Sequence, residues 1–480
     1  MFVLRKTQQG AAFMGNIVKN RDLFQVSKHI DQSQNQKGLF FKDIFSDVQL
    51  TEVFQSFGPS KFRDRIFSPT VTLLAFLQQV LSPDRSCRKA VSQVNADRIA
   101  LKLTPASSDT GAYCKARRRL PVQLLRTLLR STGITLENEA PKKWLWKERH
   151  VKVVDGSTLT TADTKENRQE FGSPSYQENQ KARCPMARFV AVFSLATGCV
   201  LDIAIGPYFG QFTSEIHLFL KTLRSFDPKD IIVCDSYYSV YYIFAILSER
   251  KLDLVFRAHL GRHYSFLKIK QFTKNDYLIV IERPERPDWM TQEHYERLPE
   301  ELTLRVCKVN LKKKGFRSKT VIVLTTLVDR NYATSEEIGN LYHQRWQAEL
   351  NLRSIKDVLN MHFLPSKTPE MVEKEILATL LAYNLIRRLM GEVAYQNSLT
   401  PLQISFKASL QSWSQYASLW KYSSIDAETI LRYLKQAIGR HRVGNRPGRK
   451  EPRALKYGIS IKYQSLTKPR NETKMKAFYQ

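Results

Sequence analysis

Two short apolar runs, each followed directly by an aspartate, set the fold class of this chain. The run VKVV precedes Asp155 and the run IIVC precedes Asp235, and both are rich in β-branched residues. A hairpin pattern spans 188–205, and helical patterns span 214–223 and 240–249. Strands that alternate with helices in this way predict an α/β domain with a mixed sheet.

The region before the first apolar run has helical periodicity. Ser68 followed by Pro69 is a helix-start signal, because serine caps a helix and proline is tolerated in its first turn. A later helical stretch, 109–129, carries a basic cluster of Lys115, Arg117, Arg118 and Arg119. Short helices with basic clusters favour a DNA-binding domain, and a helical packing or dimerisation domain is the alternative.

The net charge of the chain is +30, from 75 Lys and Arg against 45 Asp and Glu. Residues 1–150 contribute +13 and residues 440–480 contribute +10, so the centre carries only +7. A chain this basic attracts polyanions, most plausibly DNA or RNA. Basic termini that are merely solvated are the alternative. The first 50 residues are irregular in pattern, and the last forty, rich in Gly, Pro and Arg, are expected to be extended.

Neither a membrane span nor a disulfide framework is indicated. No run reaches the roughly eighteen apolar residues of a transmembrane helix, and the N-terminus lacks the order of a signal peptide. The six cysteines are scattered without CxxC spacing, which is typical of reduced thiols and not of a zinc site. We therefore expect a cytoplasmic protein that is associated with the nucleoid.

The third candidate element is a helix that a capping box starts at Thr334 and Glu337. The pattern extends to about Leu359, and a further helix begins at Thr368-Pro369 and runs to about Met390. Between Asp235 and the capping box the chain is β-rich, with strand patterns over 277–281, 302–309 and 320–328 and a charged hairpin over 312–319.

The first of these helices carries Tyr342, Arg345, Glu349 and Lys356. In a regular helix these four positions share a strip about 60° wide. A solvated polar face is the alternative reading of such a strip.

Asp155, Asp235 and Glu349 together make a candidate carboxylate triad. Taken singly, an aspartate after a strand is usually a turn former. Carboxylates are the hard oxygen ligands that Mg²⁺ prefers, and two such ions support phosphodiester chemistry. Arg345 and Lys356 are then expected to hold phosphates, and Tyr342 to donate a hydrogen bond or to stack on a base. The predicted cofactor is two Mg²⁺ ions, for which Mn²⁺ can substitute.

The chain resembles the bacterial insertion-sequence DDE transposases, in the branch whose last catalytic helix carries Tyr-x2-Arg-x3-Glu-x6-Lys. The four helix residues match that spacing without a gap, and the aspartates of VVDGST and IIVCDSYYS match the two Asp positions. The resemblance covers roughly residues 60 to 460 and includes SCRKAV, TTLVD and RPGRKEPRALK. It implies a ribonuclease-H-like catalytic core interrupted by a β-rich insertion, with an N-terminal helical domain and a basic C-terminal region.

The resemblance also implies an activity, which is cut-and-paste movement of the element's own DNA. Its steps are hydrolytic nicking at the element ends, a hairpin intermediate as in related families, and strand transfer into target DNA. The implied partners are double-stranded DNA, at the terminal inverted repeats and at the target, and a second copy of the chain on that DNA.

A tryptophan from the insertion stabilises a flipped base in related enzymes. Trp289 is the only tryptophan between Asp235 and Tyr342 and has a loop-like PDWMTQ context, so the resemblance makes it the candidate. A tryptophan that packs the insertion is the alternative.

These observations predict five segments. Residues 1–150 form an N-terminal, mostly helical DNA-binding domain, and residues 396–480 form a helical, basic C-terminal region. The catalytic domain has a first part at 151–258 and a last part at 331–395, and the insertion at 259–330 separates them. A nuclease that cuts without joining strands, and a non-catalytic DNA-binding protein derived from a transposase, remain alternative functions.

Overall fold

The computed structural model describes residues 65–100, 102–173, 184–210, 213–259, 266–310, 320–422 and 425–443. The irregular first 50 residues, the charged hairpin at 312–319 and the extended C-terminal segment that the sequence predicts lie outside these ranges.

Among the described residues, four α-helices precede the sheet: α1 (Pro69–Leu81), α2 (Cys87–Ala100), α3 (Gly111–Arg119) and α4 (Val122–Asn138). The start signal is confirmed, since the Ser68 side chain accepts a hydrogen bond from the amide of Val71. The stretch over 109–129 is divided between α3 and α4, because Pro121 cannot continue the helix that ends at Arg119.

The basic cluster on α3 is also divided. Lys115, Arg118 and Arg119 are exposed. Arg117 is buried, donates to Gln79 Oε1 at 3.1 Å and lies over the rings of Phe76 and Tyr113. The prediction that Arg117 belongs to a DNA-contacting cluster is therefore wrong, because its charge is used to pack α3 against α1.

In the described part of the α/β region, five strands follow the predicted order with small shifts at their ends, except that β1 continues past Asp155. They are β1 (Val151–Thr161), β2 (Met186–Ser194), β3 (Val200–Pro207), β4 (Ile231–Cys234) and β5 (Asp253–Arg257). The helices between them are α5 (Lys165–Phe171), α6 (Glu215–Leu220) and α7 (Tyr241–Glu249). The strands lie in the order β3-β2-β1-β4-β5, with β2 antiparallel to both neighbours and β1, β4 and β5 parallel. This is the strand arrangement of a ribonuclease-H-like core.

The β-rich insertion continues the same sheet. Its elements are β6 (Phe266–Thr273), β7 (Asp276–Glu282), α8 (Gln292–Arg297), β8 (Glu301–Asn310) and β9 (Thr320–Thr325). β9 pairs antiparallel with β5, and β8, β7 and β6 follow outward. The insertion therefore widens the catalytic sheet, and its edge strand β6 is largely exposed.

The helix predicted from Thr334 to about Leu359 is not continuous. The capping box forms, but α9 (Ser335–His343) ends before α10 (Trp346–Arg353), and a π-helical turn (Ser354–Val358) follows. At the break, the amides of Gln344 and Arg345 bond to carbonyls three residues earlier, at 3.0 Å each. This tighter turn and the wider π-turn change the angle per residue, so the regular-helix geometry behind the single strip does not hold over the whole segment.

The remaining elements are the short β10 (Phe363–Leu364), which pairs with the end of β1, and three helices: α11 (Pro369–Gln396), α12 (Phe406–Tyr422) and α13 (Ala427–Arg440). α11 begins at Thr368-Pro369 as predicted and extends past Met390. Its apolar run packs against α1, α4 and β3, and Asn384 in that run bonds to the amide and the carbonyl of Val200 at 2.8 Å each. No helix in the described ranges is long and apolar enough to cross a membrane.

The core part of the sheet is covered on both faces. Phe189, Ala191 and Phe193 of β2 face a cluster built with α1, α4 and α11, whereas Val190 and Val192 face a cluster with α6 and α7. Apolar side chains and helices cover both faces. Polar side chains can therefore cluster at the edge of the sheet, where one strand extends beyond the end of its neighbour.

Candidate active site

Asp155 lies inside β1 and not at its end, contrary to the sequence-based expectation. β1 continues to Thr161 because β2 pairs with it as far as Thr160. Its parallel pairing with β4, however, stops at Val153 opposite Val233. Asp155 therefore lies just past the end of β4, where β1 has lost that neighbour, and Asp235 follows β4 directly.

Asp235 is held by the turn that it starts. Its Oδ1 accepts a hydrogen bond from the amide of Tyr237 at 2.8 Å, which caps the 3₁₀ turn Ser236–Tyr238. The carboxylate is thus at the carboxyl edge of the sheet, on the side where Asp155 emerges. The two predicted aspartates therefore belong to one edge.

Glu349 and Arg345 approach this edge from α10. Arg345 Nη2 donates to Glu349 Oε1, and Arg345 Nη1 lies 3.9 Å from Asp155 Oδ2. One guanidinium therefore bridges the carboxylates of the first and third members of the triad. The break before α10 places Arg345 in this position at the first turn of that helix.

The pKa of Asp155 depends on the charges of the other carboxylates at this edge. Its pKa is raised to about 7, mainly by burial and to a smaller extent by the charges of Asp235, Glu349 and Glu215, while Arg345 acts in the opposite direction. Like charges that are close enough to perturb one another favour either a bound proton or a bound cation. The cluster thus holds more negative charge than Arg345 neutralises.

The other two residues of the predicted signature lie on either side of Arg345. Tyr342 is buried, and burial raises its pKa while Arg345 and Arg257 act against that shift. Lys356 lies in the π-turn and donates to Ser157 Oγ at 3.1 Å and to the carbonyl of Thr158 at 2.9 Å. Lys356 therefore contacts β1 beyond Asp155, whereas Arg345 contacts Asp155 itself.

Trp289 does not contact any of these side chains directly. It is half-buried, and its ring meets His217 edge-on at 5.6 Å and Tyr242 at 6.0 Å. Those contacts are with α6 and α7, so in this structure Trp289 packs the insertion against the core. His217 is two residues from Glu215, which places Trp289 on the α6 side of the carboxylate edge.

Sequence reasoning missed two residues of this edge, Glu215 and Gly156. Glu215 begins α6, and its carboxylate lies against the backbone of Gly156. A glycine directly after a candidate catalytic aspartate was a usable signal, since glycine marks the close approach of another group. Nothing in the pattern around Glu215 distinguishes it from an ordinary first-turn acid of a capped helix.

The donor set fits a divalent metal ion in its chemistry. It offers carboxylate oxygens from Asp155, Asp235, Glu349 and Glu215, with one guanidinium among them, and Mg²⁺ prefers such oxygens. Within the described ranges, no three His, Cys, Asp or Glu side chains are arranged as they stand to hold an ion. Between Asp155 and Glu349 the positive charge is supplied by Arg345.

Comparisons with known proteins agree on one family. Residues 146–385 match the model of the transposase DDE domain, and all three carboxylates of the triad lie in that range. The chain is 27% identical over 304 residues, 62% of its length, to the transposase InsG for insertion sequence element IS4 of Escherichia coli (strain K12). The matched part is 65% of that relative, slightly less than two thirds of its length.

Two further similarities are more limited. The probable transposase for insertion sequence element IS5377 of Geobacillus stearothermophilus is 33% identical over 75 residues, which are 16% of this chain and 20% of that protein. The cryo-EM structure of the piggyBac transposase synaptic complex with hairpin DNA aligns over 91% of this chain and 90% of that chain, with 12% identity and a TM-score of 0.39.

Proposed function

Since this chain belongs to the transposase DDE domain family, we propose that it is a DNA transposase that moves its own insertion sequence by cutting and rejoining DNA strands. The observation that carries the proposal is the convergence of Asp155, Asp235 and Glu349 at one edge of a ribonuclease-H-like sheet, around the guanidinium of Arg345. A structural ion pair has no need of this surplus of carboxylates, whereas metal-dependent phosphodiester chemistry does.

Members of this family generally use divalent metal ions. We propose that Asp155, Asp235 and Glu349 hold two Mg²⁺ ions, for which Mn²⁺ substitutes. When bound, such ions activate an attacking oxygen and stabilise the leaving one in a phosphodiester displacement. If Glu349 holds the metal, its carboxylate would no longer pair with Arg345, and the guanidinium would be available to the substrate.

The cationic and phenolic neighbours then bind DNA. Arg345, once released, offers a planar fork for a phosphate, and Lys356 supplies a point charge beside β1. Tyr342 lies next to Arg345 and donates a hydrogen bond through its hydroxyl. Trp289 is the candidate that stacks on an unstacked base, and this role requires its ring to leave His217 and Tyr242.

We further propose how the rest of the chain serves this reaction. Residues 1–150 and 396–480 bind the DNA around a catalytic unit formed by 151–258 and 331–395, and 259–330 is the insertion. Pairing two element ends requires two copies of the chain, so the active form on DNA is a homodimer. The reaction comprises nicking, a hairpin intermediate and strand transfer, and it takes place in the cytoplasm at the nucleoid.

The test is a cleavage assay with the full chain, Mg²⁺ and DNA fragments carrying the inverted repeats that flank the reading frame. Asp155→Ala, Asp235→Ala and Glu349→Ala are expected to abolish nicking, whereas the exposed Glu293→Ala on α8 leaves it unchanged. Nicking that survives all three substitutions would overturn the proposal. Cleavage without strand transfer indicates a nuclease instead, and binding without cleavage indicates an architectural DNA-binding protein.

A further inference from the structure

Glu215 is the carboxylate of the site edge that the signature residues do not include. It is the first residue of α6, which Ser214 caps and which packs against β2 and β3. This placement directs its side chain across the sheet edge toward β1. The helix is only two turns long, so its own dipole contributes little to holding the charge there.

The carboxylate of Glu215 fills the space that a side chain at position 156 would need. A Cβ built on Gly156 would lie 2.3 Å from Glu215 Cδ, 2.4 Å from Oε2 and 2.8 Å from Oε1. The two groups are therefore in direct contact, one residue after Asp155. Glycine at 156 is what allows the carboxylate to rest against the backbone there.

A second contact reaches the segment of Asp235. The hydroxyl of Tyr238 donates to Glu215 Oε2 at 3.2 Å, and Tyr238 is fully buried in the 3₁₀ turn that Asp235 caps. One carboxylate thus touches the strand that carries Asp155 and the turn that carries Asp235. It joins the two segments that have to keep their aspartates at a fixed separation.

Folding does not account for this charge. Among the described residues Glu215 forms no ion pair within 4 Å, and the nearest opposing charge, on Arg188, acts only through space. A half-buried carboxylate that has one hydroxyl donor and no ion pair is favoured by a nearby cation. A divalent cation bound at the side of Asp155 and Asp235 would compensate for this charge.

We propose that Glu215 is a positioning residue of this site: it fixes the segments of Asp155 and Asp235 relative to each other and adds a fourth negative charge that strengthens divalent-cation binding. The inference rests on the proposed function, because it assumes that the aspartates bind metal. Groups that support metal ligands in this way commonly change metal affinity 10–100-fold when they are substituted.

The experiment is a titration of the DNA-free full chain with Mn²⁺. Calorimetry and electron paramagnetic resonance measure the binding. Glu215→Gln keeps the shape of the side chain and can still accept from Tyr238, but it removes the charge. We expect its Mn²⁺ affinity to fall about tenfold or more with an unchanged Tm. Glu293→Gln is the matched control, since Glu293 also lies in the first turn of a six-residue helix with a hydroxyl cap.

A second variant tests the geometry without altering the charge. Gly156→Ala inserts a methyl group where the carboxylate rests and pushes that flexible group aside. We expect weaker Mn²⁺ binding, and we expect the double variant Gly156→Ala/Glu215→Gln to bind no more weakly than Glu215→Gln alone. Full additivity of the two effects would show that Gly156 and Glu215 act independently, and would overturn the positioning role.

The outcomes separate this inference from the proposed function. If the wild type binds Mn²⁺ and Asp155→Asn abolishes binding while Glu215→Gln does not weaken it, only the role of Glu215 is wrong. If the wild type binds no Mn²⁺, the metal-dependent function fails and the inference falls with it.

Discussion

Arg305 in β8 and Arg345 before α10 both donate to carboxylates, but the charges around them differ. Arg305 is fully buried, and its Nε and Nη2 each bond to Asp276 at 2.7 Å, while its Nη1 bonds to the carbonyl of Ala333 at 2.7 Å. One buried cation there meets one buried anion. Arg345 meets several carboxylates and neutralises only part of their charge. An ion pair whose charges are balanced stabilises the fold. A cluster in which carboxylates outnumber the cation indicates a site that binds a further cation.

The largest effect is expected at Arg305. Arg305→Met leaves Asp276 buried with the exposed Arg330, 3.9 Å away, as its remaining ion-pair partner, and breaking a buried pair in this way costs about 3–5 kcal/mol. Denaturant unfolding of the full chain measures this loss. Replacing both partners, as Arg305→Met/Asp276→Leu, is expected to recover most of the stability, because the interior then holds no unpaired charge.

The next effect, at Arg345, is expected in activity and not in stability. Arg345→Met should lower DNA nicking about hundredfold, equivalent to about 2.7 kcal/mol, since a phosphate contact and the partner of Glu349 are lost. Asp155 can take up a proton in response, so the free energy of unfolding should fall by less than about 1 kcal/mol. An unfolding cost equal to that of Arg305→Met would remove the contrast between the two arginines.

Lys356 is an intermediate case that sharpens the comparison. It anchors the π-turn to β1 through two hydrogen bonds, and burial lowers its pKa. Lys356→Ala is expected to cost about 1–2 kcal/mol of stability from those bonds and to weaken binding of DNA ends. Filter binding and thermal melts on the same preparation give both values. Lys356→Met, which retains the apolar stem, should recover packing but not binding.

The smallest effect on stability is expected at an ion pair whose cation, a histidine, loses its proton as pH rises. His150 Nδ1 lies 3.1 Å from Glu137 Oε1, and that hydrogen bond raises the pKa of His150. The folded-state pKa thus exceeds the unfolded value of about 6.5, so the pair stabilises the fold at lower pH and is lost as pH rises through the folded pKa. Unfolding of wild type and His150→Asn between about pH 5 and pH 8 should show a difference below about 1 kcal/mol that shrinks on the alkaline side.

Much of the site could be predicted because its signals are local. The apolar runs before Asp155 and Asp235 and the capping box before α9 each depend on a few consecutive residues, and each formed as expected. The break before Arg345 could not be predicted, since residue spacing assumes a constant angle per residue. The burial of Arg117 was equally hidden, because its basic neighbours have the same chemistry and differ only in the face of α3 on which they lie.

The place of the insertion depends on contacts far apart in the sequence. β9 has strand propensity, but nothing in its residues indicates that it pairs with β5 and not with another insertion strand. Glu215 was missed for a related reason, since its partners Gly156 and Tyr238 come from two other segments. Tertiary contacts of this kind cannot be predicted from patterns of residues that are neighbours in the sequence.

The pairing of β5 with β9 also affects how the chain could have grown. The polypeptide leaves the core after Arg257 and returns at Val323, its direct partner across the antiparallel ladder. Its exit and its re-entry are therefore side by side. A segment attached through adjacent points can be lengthened, shortened or exchanged without changing the register of the core strands, so the insertion can vary in size while the site edge stays as it is.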